Sequence, residues 1–282
     1  MTGPTPVEST RVAESLTASG KPIAEALVQV RYEVVRLLSE QLYSSPLKAI
    51  EELVVNAWDA EASTCRVSVP SPEDLRAHLA DAFVAVFDDG EGIGLEGLID
   101  LWHVGRSRKR EPAWEAGHQR KQIGKFGIGK LATYALGRQV TYVSLLDGTI
   151  RGVTLDFDRL SAASPADGTV APIELAILQL GGDAPAGLSP LADAFRAVGV
   201  DPGTLVNGSI SSWTLVVIER LNQKAQEIRP GRLHWVLQTA MPWLQASTST
   251  SMMRRSKALR RAGFGGSWTS GSTAWKRLGS NR

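Results

Sequence analysis

Residues 50–60, IEELVVNAWDA, are apolar around most of a helical circumference. At about 100° per residue, Glu52, Asn56 and Asp59 fall in one narrow arc, spaced by four and three. Ile50, Leu53, Val54, Ala57 and Trp58 spread over the other side, and Val55 and Ala60 flank the polar arc. A solvated helix face is broad and charged, whereas this polar stripe is thin and fenced by apolar residues. The pattern predicts a largely buried helix whose carboxylates need a partner or an ion. A Glu with an Asn one turn later suits a Mg²⁺-bound phosphate and its attacking water. An ordinary amphipathic helix with acids reaching solvent at its ends fits the same pattern.

Upstream, residues 1–20 are polar, with Pro and Gly, and read as a loose arm. Ile23, Leu27, Val30, Val34, Leu37 and Leu38 recur at helical spacing, so 23–42 is predicted helical, with Pro22 in its first turn. Ser44–Pro46 breaks that helix, and Ser45 with Pro46 starts the next. Residues 65–69 and 82–87 have strand length and apolar content, with a turn and short helix between them. A short helix is expected over 95–104. Residues 105–122 are polar and basic without apolar period, as in a mobile loop. Residues 130–136 read as a helix capped by Gly137.

Residues 139–146 and 149–157 are strand-like and joined by Asp147-Gly148, a strong hairpin signal. Residues 161–208, rich in Ala, Pro, Gly and Ser, read as an insertion or rim with a strand at 173–180 and a helix at 190–198. Residues 213–218 form another apolar strand, and 232–244 a helix. From Ala246 the periodicity stops. The expected organisation is an arm over 1–20, one α/β domain over 21–245 and a basic, disordered tail over 246–282.

Composition changes this picture in two places. Of 31 Lys and Arg, 10 lie after Glu227, where no acid occurs, so the preceding part holds 21 bases against 29 acids. Basic residues beside Trp268 and Trp275 suit nucleic acid through phosphate contacts and stacking, or a solvated tail. Cys65 is the only cysteine, which excludes an internal disulfide and fits a reducing compartment. It reads as a small buried thiol. The N-terminus lacks a signal-sequence pattern, and no apolar run approaches the roughly 18 residues of a spanning helix. A soluble cytoplasmic protein without membrane contact is expected.

Two more stretches carry chemistry. DDGEGIG follows a buried strand, which places Asp88 at a strand's carboxyl end, where α/β folds bind ligands. One carboxylate there accepts a hydrogen bond from an exocyclic amine, and Gly90, Gly92 and Gly94 let the backbone pass close to a flat ring. Asp-Asp-Gly also fits a plain turn. IGKFGIGKL, residues 123–131, sets three glycines before a helix start that attracts anions, with Lys125 and Lys130 adding charge. Gly124 to Lys130 also fits a P-loop. However, Leu131 replaces the Mg²⁺-binding hydroxyl, and no buried strand precedes the glycines.

Together, in order, these stretches resemble the ATP-binding domain shared by DNA gyrase, the ninety-kilodalton heat-shock chaperones, histidine kinases and MutL, the GHKL group. Glu52, Asn56, Asp59 and Ala60 match Glu-x-x-x-Asn with Asp-Ala following. Asp88, Gly90 and Gly92 match Asp-x-Gly-x-Gly, and Gly124, Gly127 and Gly129 match Gly-x-x-Gly-x-Gly. The resemblance covers roughly residues 25–160 and implies a two-layer sandwich with helices on one face of a mixed sheet.

It also implies roles. Glu52 would be the general base and Asn56 the Mg²⁺ ligand, with Asp59 beside them. Asp88 would bind the adenine amine, with Gly90, Gly92, Ile93 and Gly94 lining the base. Gly124, Lys125, Phe126, Gly127, Ile128, Gly129 and Lys130 would cradle the phosphates. Residues 105–122 would be the ATP lid, from which Ser107 and Lys109 reach the nucleotide. Thr214 stands where the family often has Gly-Thr before a strand, although Trp213 replaces the Gly. The implied activity is Mg²⁺-dependent ATP hydrolysis driving lid closure and the assembly of a homodimer or a larger partner complex. The alternatives are a non-hydrolysing ATP sensor and a nucleic-acid-binding protein acting through its tail. His78, His103, His118 and His234 show neither a phosphotransfer context nor metal-ligand spacing. No second domain of the kind that lends gyrase and MutL a lysine is expected after Leu244.

Overall fold

A computed structural model describes residues 11–28, 45–101, 120, 123, 129–162, 173–181, 188–206, 210–240, 244–247 and 272–277. In chain order the helices are α1 (Arg11–Ser19), α2 (Pro46–Asp59), α3 (Pro72–Ala77), α4 (Leu95–Asp100), α5 (Phe157–Ala162), α6 (Ala192–Ala197), α7 (Pro202–Val206), α8 (Gln223–Gln226) and α9 (Pro230–Ala240). The strands are β1 (Gly20–Val28), β2 (Thr64–Ser68), β3 (Val84–Asp88), β4 (Gly137–Leu146), β5 (Thr149–Asp156), β6 (Ile173–Leu180), β7 (Trp213–Leu221), β8 (Leu244–Ser247) and β9 (Ser272–Arg277). Short 3-10 segments cover Leu79–Asp81, Gly129–Ala135 and Ser189–Leu191.

The strands form one sheet in the order β1-β6-β5-β4-β7-β3-β2-β9-β8. Every pairing among the described residues is antiparallel, where a mixed sheet was expected. The β4–β5 hairpin turns on Asp147 (φ 51°) and Gly148 (φ 68°), the left-handed pair of a type I′ turn. α2 starts at Pro46 after an extended Ser45, whose side chain makes no capping bond. Ser71 and Asp74 close a reciprocal capping box on α3.

Alternation along the central strands splits the core into two clusters. Val84, Val86, Val140, Tyr142, Val216 and Ile218 face α2, α5 and α9. Ala85, Phe87, Val143, Leu145, Leu215 and Val217 face the other way. The two-layer expectation holds for the first face only. The second face is covered by Val12 and Leu16 of α1 and by Ala194 and Phe195 of α6. Phe87, Phe195 and Trp213 close it, with ring centroids 5.4–6.3 Å apart. The arm expected over 1–20 is therefore helical where it is described, because Val12 and Leu16 have an apolar surface to cover.

Four further expectations change. The helix predicted from Ile23 is strand β1, antiparallel to β6, with its register shifted between Pro22 and Ala24. Pro22 cannot donate to a ladder, and an edge strand with an irregularity is where proline is tolerated. Gly137 opens β4 instead of capping a helix: a Cβ there would lie 2.4 Å from the Glu219 carbonyl. β6 lies inside the sheet between β1 and β5, so residues 173–180 are not a rim. Beyond Ala246, β9 pairs with β2 and β8 with β9, so part of the expected disordered tail is sheet. No helix among the described residues is long and apolar enough to cross a membrane.

Candidate functional site

The polar stripe of α2 lies on the helix-covered face of the sheet. Glu52 and Asn56 are half-buried, and Asp59 is buried at 2% exposure. Asp59 Oδ1 accepts the backbone N–H of Ile123 at 2.9 Å. The 3-10 segment Gly129–Ala135 packs against α2, with Ala132 and Thr133 fully buried. Its first residues, Gly129 and Lys130, are the start of the anion-binding helix expected from sequence, now seen as 3-10. Ser107, Lys109, Gly124, Lys125, Phe126, Gly127 and Ile128 lie outside the described residues.

β3 is buried along its whole length and delivers Asp88 at its end. In the sheet register Asp88 stands opposite Thr214, and Thr214 opposite Ser144. Val86, Val216 and Tyr142, two positions along each strand, pack beneath α2. Period two therefore puts Asp88, Thr214 and Ser144 in one row on the α2 face. Three polar groups here interrupt an otherwise apolar floor. Sequence placed Asp88 and Thr214 in the site and missed Ser144, which nothing in the apolar run of β4 marks out. Ser144 Oγ accepts the Ile93 N–H at 2.7 Å and donates to the Trp213 carbonyl at 2.7 Å.

The two adjacent aspartates divide their work. Asp89 accepts from Thr64 N–H and Ser63 Oγ, both at 2.6 Å, and so pins the loop after α2 to the β3 turn. Asp88 turns into the site, and its Oδ1 accepts the Gly90 N–H at 3.0 Å. Burial raises the Asp88 carboxyl to about 7, the Gly90 bond pulls it down and Asp89 pushes it up. The neighbouring Cys65 thiol is raised by burial, then by Asp88 and Asp89, so it stays protonated and inert.

The glycines have a reason other than the expected open path beside a flat ring. A Cβ on Gly90 would lie 2.6 Å from the Ala60 carbonyl, and one on Gly92, at φ +73°, would lie 2.4 Å from the Leu145 carbonyl. Protein backbone fills both spaces, and the turn is thereby pressed onto the end of α2 and onto β4. Gly94 has more room, 3.4 Å from Leu146 Cδ2, and precedes α4. Ser212 Oγ donates to the Gly90 carbonyl at 2.7 Å. The result is a loop, braced at several points, that carries a buried carboxylate acceptor at the end of β3.

Arg120, placed by sequence in a mobile loop, is fixed instead. Its backbone N–H donates to Glu61 Oε1 at 2.7 Å. Its guanidinium lies 4.5 Å from the Trp58 ring centroid and donates to the Ala62 carbonyl at 2.8 Å.

An antiparallel sheet covered by a buried helix with an acid-amide stripe, and a buried Asp at a strand end, is consistent with an α/β fold of the GHKL ATPase type. A P-loop follows a strand of a parallel sheet, whereas every pairing among the described residues is antiparallel. Residues 43–181 match the family described as histidine kinase-, DNA gyrase B-, and HSP90-like ATPase, and this part of the chain belongs to it. A protein of Herpetosiphon aurantiacus described as a candidate type II restriction enzyme, HgiDII, is 30% identical over 115 residues. The match covers 41% of this chain and 17% of that protein.

The Asp88 environment makes a stability prediction. The folded state holds a proton that the unfolded chain releases near pH 3.8, so the Asp88 contribution weakens as pH rises from there to about 7 and is level above. Asp88→Asn removes this dependence and keeps an acceptor for the Gly90 N–H. In urea titrations, the stability of the variant minus that of the wild type should grow across this window by up to about 4 kcal/mol. A difference independent of pH would show that Asp88 ionises like a solvated carboxylate.

Proposed function

We propose that the chain binds ATP between α2 and the row Asp88–Thr214–Ser144 and hydrolyses it. The observation that carries this is the buried Asp88 carboxylate at the end of β3, on the sheet face that α2 covers. Asp88 is the acceptor for the adenine amine, with Thr214 and Ser144 completing the polar floor. Glu52 orients the attacking water as general base, and Asp59 ties the chain before the glycine stretch to α2. Gly124–Lys130 holds the phosphates, with Lys125 and Lys130 as counter-charges.

Asn56 offers one neutral oxygen from a half-buried position, which fits a Mg²⁺ that keeps its remaining ligands as phosphate oxygens and water. When bound, that ion neutralises charge on the phosphates. The ATP-binding unit is proposed to take in α1 and the strands β8 and β9 as well as the expected 21–245, in a reducing cytoplasmic setting. Closure of residues 105–122, with Ser107 and Lys109 reaching the nucleotide, and assembly with a second copy or larger partner belong to the same proposal. Family membership supports them.

A second reading concerns nucleic acid. The relative described as a candidate restriction enzyme and the acid-free, basic stretch after Glu227 favour a DNA partner. Replacing Arg254, Arg255, Arg260 and Arg261 with Gln should then weaken duplex DNA binding and flatten its salt dependence. Unchanged affinity would assign DNA no role at these residues.

The ATP reading is tested by calorimetry and phosphate release at pH 8. Asp88→Asn should weaken ATP binding by about 10- to 100-fold, because a hydrogen bond to a charged group contributes about 1.5–3 kcal/mol. Glu52→Ala should keep affinity and lower turnover by about 10²–10⁴-fold. Equal turnover in Glu52→Ala would remove Glu52 from the chemistry. ATP binding without any wild-type phosphate release would leave a nucleotide sensor.

A further inference from the structure

The C-terminal end of α2 is a junction. Helix ends leave carbonyls without intrahelical partners, and the partial negative charge there attracts cations. The chain turns at Glu61, which adopts φ +58°, a left-handed value uncommon for a side-chain-bearing residue. The turn brings the Ala60 carbonyl to the Glu91 N–H at 2.9 Å and presses Gly90 onto Ala60. The loop that carries Asp88 is thus built onto the end of the helix that carries Glu52 and Asn56.

Arg120 closes this junction from a third direction. Its side chain is 7% exposed. Nη1 donates to the carbonyls of Trp58, at 3.3 Å, and Ala62, at 2.8 Å. Nε lies 3.4 Å from Glu61 Oε2, while Glu61 Oε1 takes the Arg120 backbone N–H. The guanidinium stacks on Trp58. Three residues on, Ile123 N–H is held by Asp59. Two attachments three residues apart thus hold Arg120 and Ile123 against the end of α2. A lysine has neither the planar fork nor the stacking face that this arrangement uses.

We infer that Arg120 is a positioning residue of the nucleotide site. It helps set where Ile123, the residue before Gly124 in sequence, is held relative to the helix that carries Glu52 and Asn56, acting through the α2 terminus beside the Asp59–Ile123 bond. This rests on the ATP reading proposed above. It makes Arg120 matter more to the phosphates than to the base, because the loop that carries Asp88 has further braces of its own in Asp89, Ser144 and Ser212.

The test measures affinity for ATP with magnesium and for adenosine, by calorimetry on the full chain, in the wild type, Arg120→Met, Arg120→Lys and Trp58→Phe. Thermal unfolding without nucleotide is read alongside. Arg120→Met should weaken ATP by about tenfold to a hundredfold, the scale on which small misplacements act, and change adenosine by less than about threefold. Arg120→Lys should fall between it and the wild type, and Trp58→Phe, which keeps an aromatic face, should stay near the wild type. Should Arg120→Met fail to fold, Arg120→Lys reads the same ATP-to-adenosine ratio. Parallel loss of ATP and adenosine, or loss of neither, in a wild type that binds both would overturn the positioning role alone. A wild type that binds neither ligand would sink the ATP reading and this inference with it.

Discussion

Burying one carboxylate is the constraint to which the rest of the site conforms. Asp88 sits at the end of a strand with no exposed residue, on the face that α2 covers. A charge there is costly unless hydrogen bonds or a ligand compensate it. The turn after β3 supplies one donor from Gly90, and the same turn is braced by Asp89, Ser144 and Ser212. The site carries a polar acceptor whose ionised form the folded chain alone does not favour. A donor arriving from a ligand would supply what is missing, so stability lost to burial becomes available for recognition.

The sheet and the helix are joined where this is needed. Gly90 against Ala60, Asp89 against Thr64, and Arg120 across the last carbonyls of α2 all meet within a few residues of the helix end. Glu52 and Asn56 lie one to two turns back along the same rigid element. The geometry between the Asp88 floor and the Glu52–Asn56 stripe is therefore set by contacts gathered at one helix end.

Much of this was legible from sequence for specific reasons. α2 announces itself because its apolar residues wrap the helix and Pro46 marks its start. The β4–β5 hairpin is legible in Asp147-Gly148, and Asp88 in its place after an apolar run. β1 was not legible: Ile23 and Leu27 mimic a helical repeat, while the residues packed inward are the small Ala24 and Ala26, and pairing with β6 decides the conformation. α1 and the second apolar face were hidden because Val12 and Leu16 are too few to show a period until Phe195 and Trp213 are brought beneath the sheet. Ser144 and Arg120 escaped because their partners lie far away in the chain, 51 and 58–62 residues for the bonds to Ile93, Ala62 and Trp58. A serine in a strand and an arginine in a basic stretch carry no sign of such partners.

The most direct measurement is a comparison of ATP with GTP binding to the full chain at pH 8. A buried carboxylate that accepts a hydrogen bond from the purine's exocyclic amine meets an oxygen at the same ring position in guanine, and two facing acceptors repel. The account predicts that ATP binds at least about 100-fold more tightly than GTP, the discrimination expected when a buried polar group loses its partner. Equal affinities would contradict it, because Asp88 would then not be reading the base.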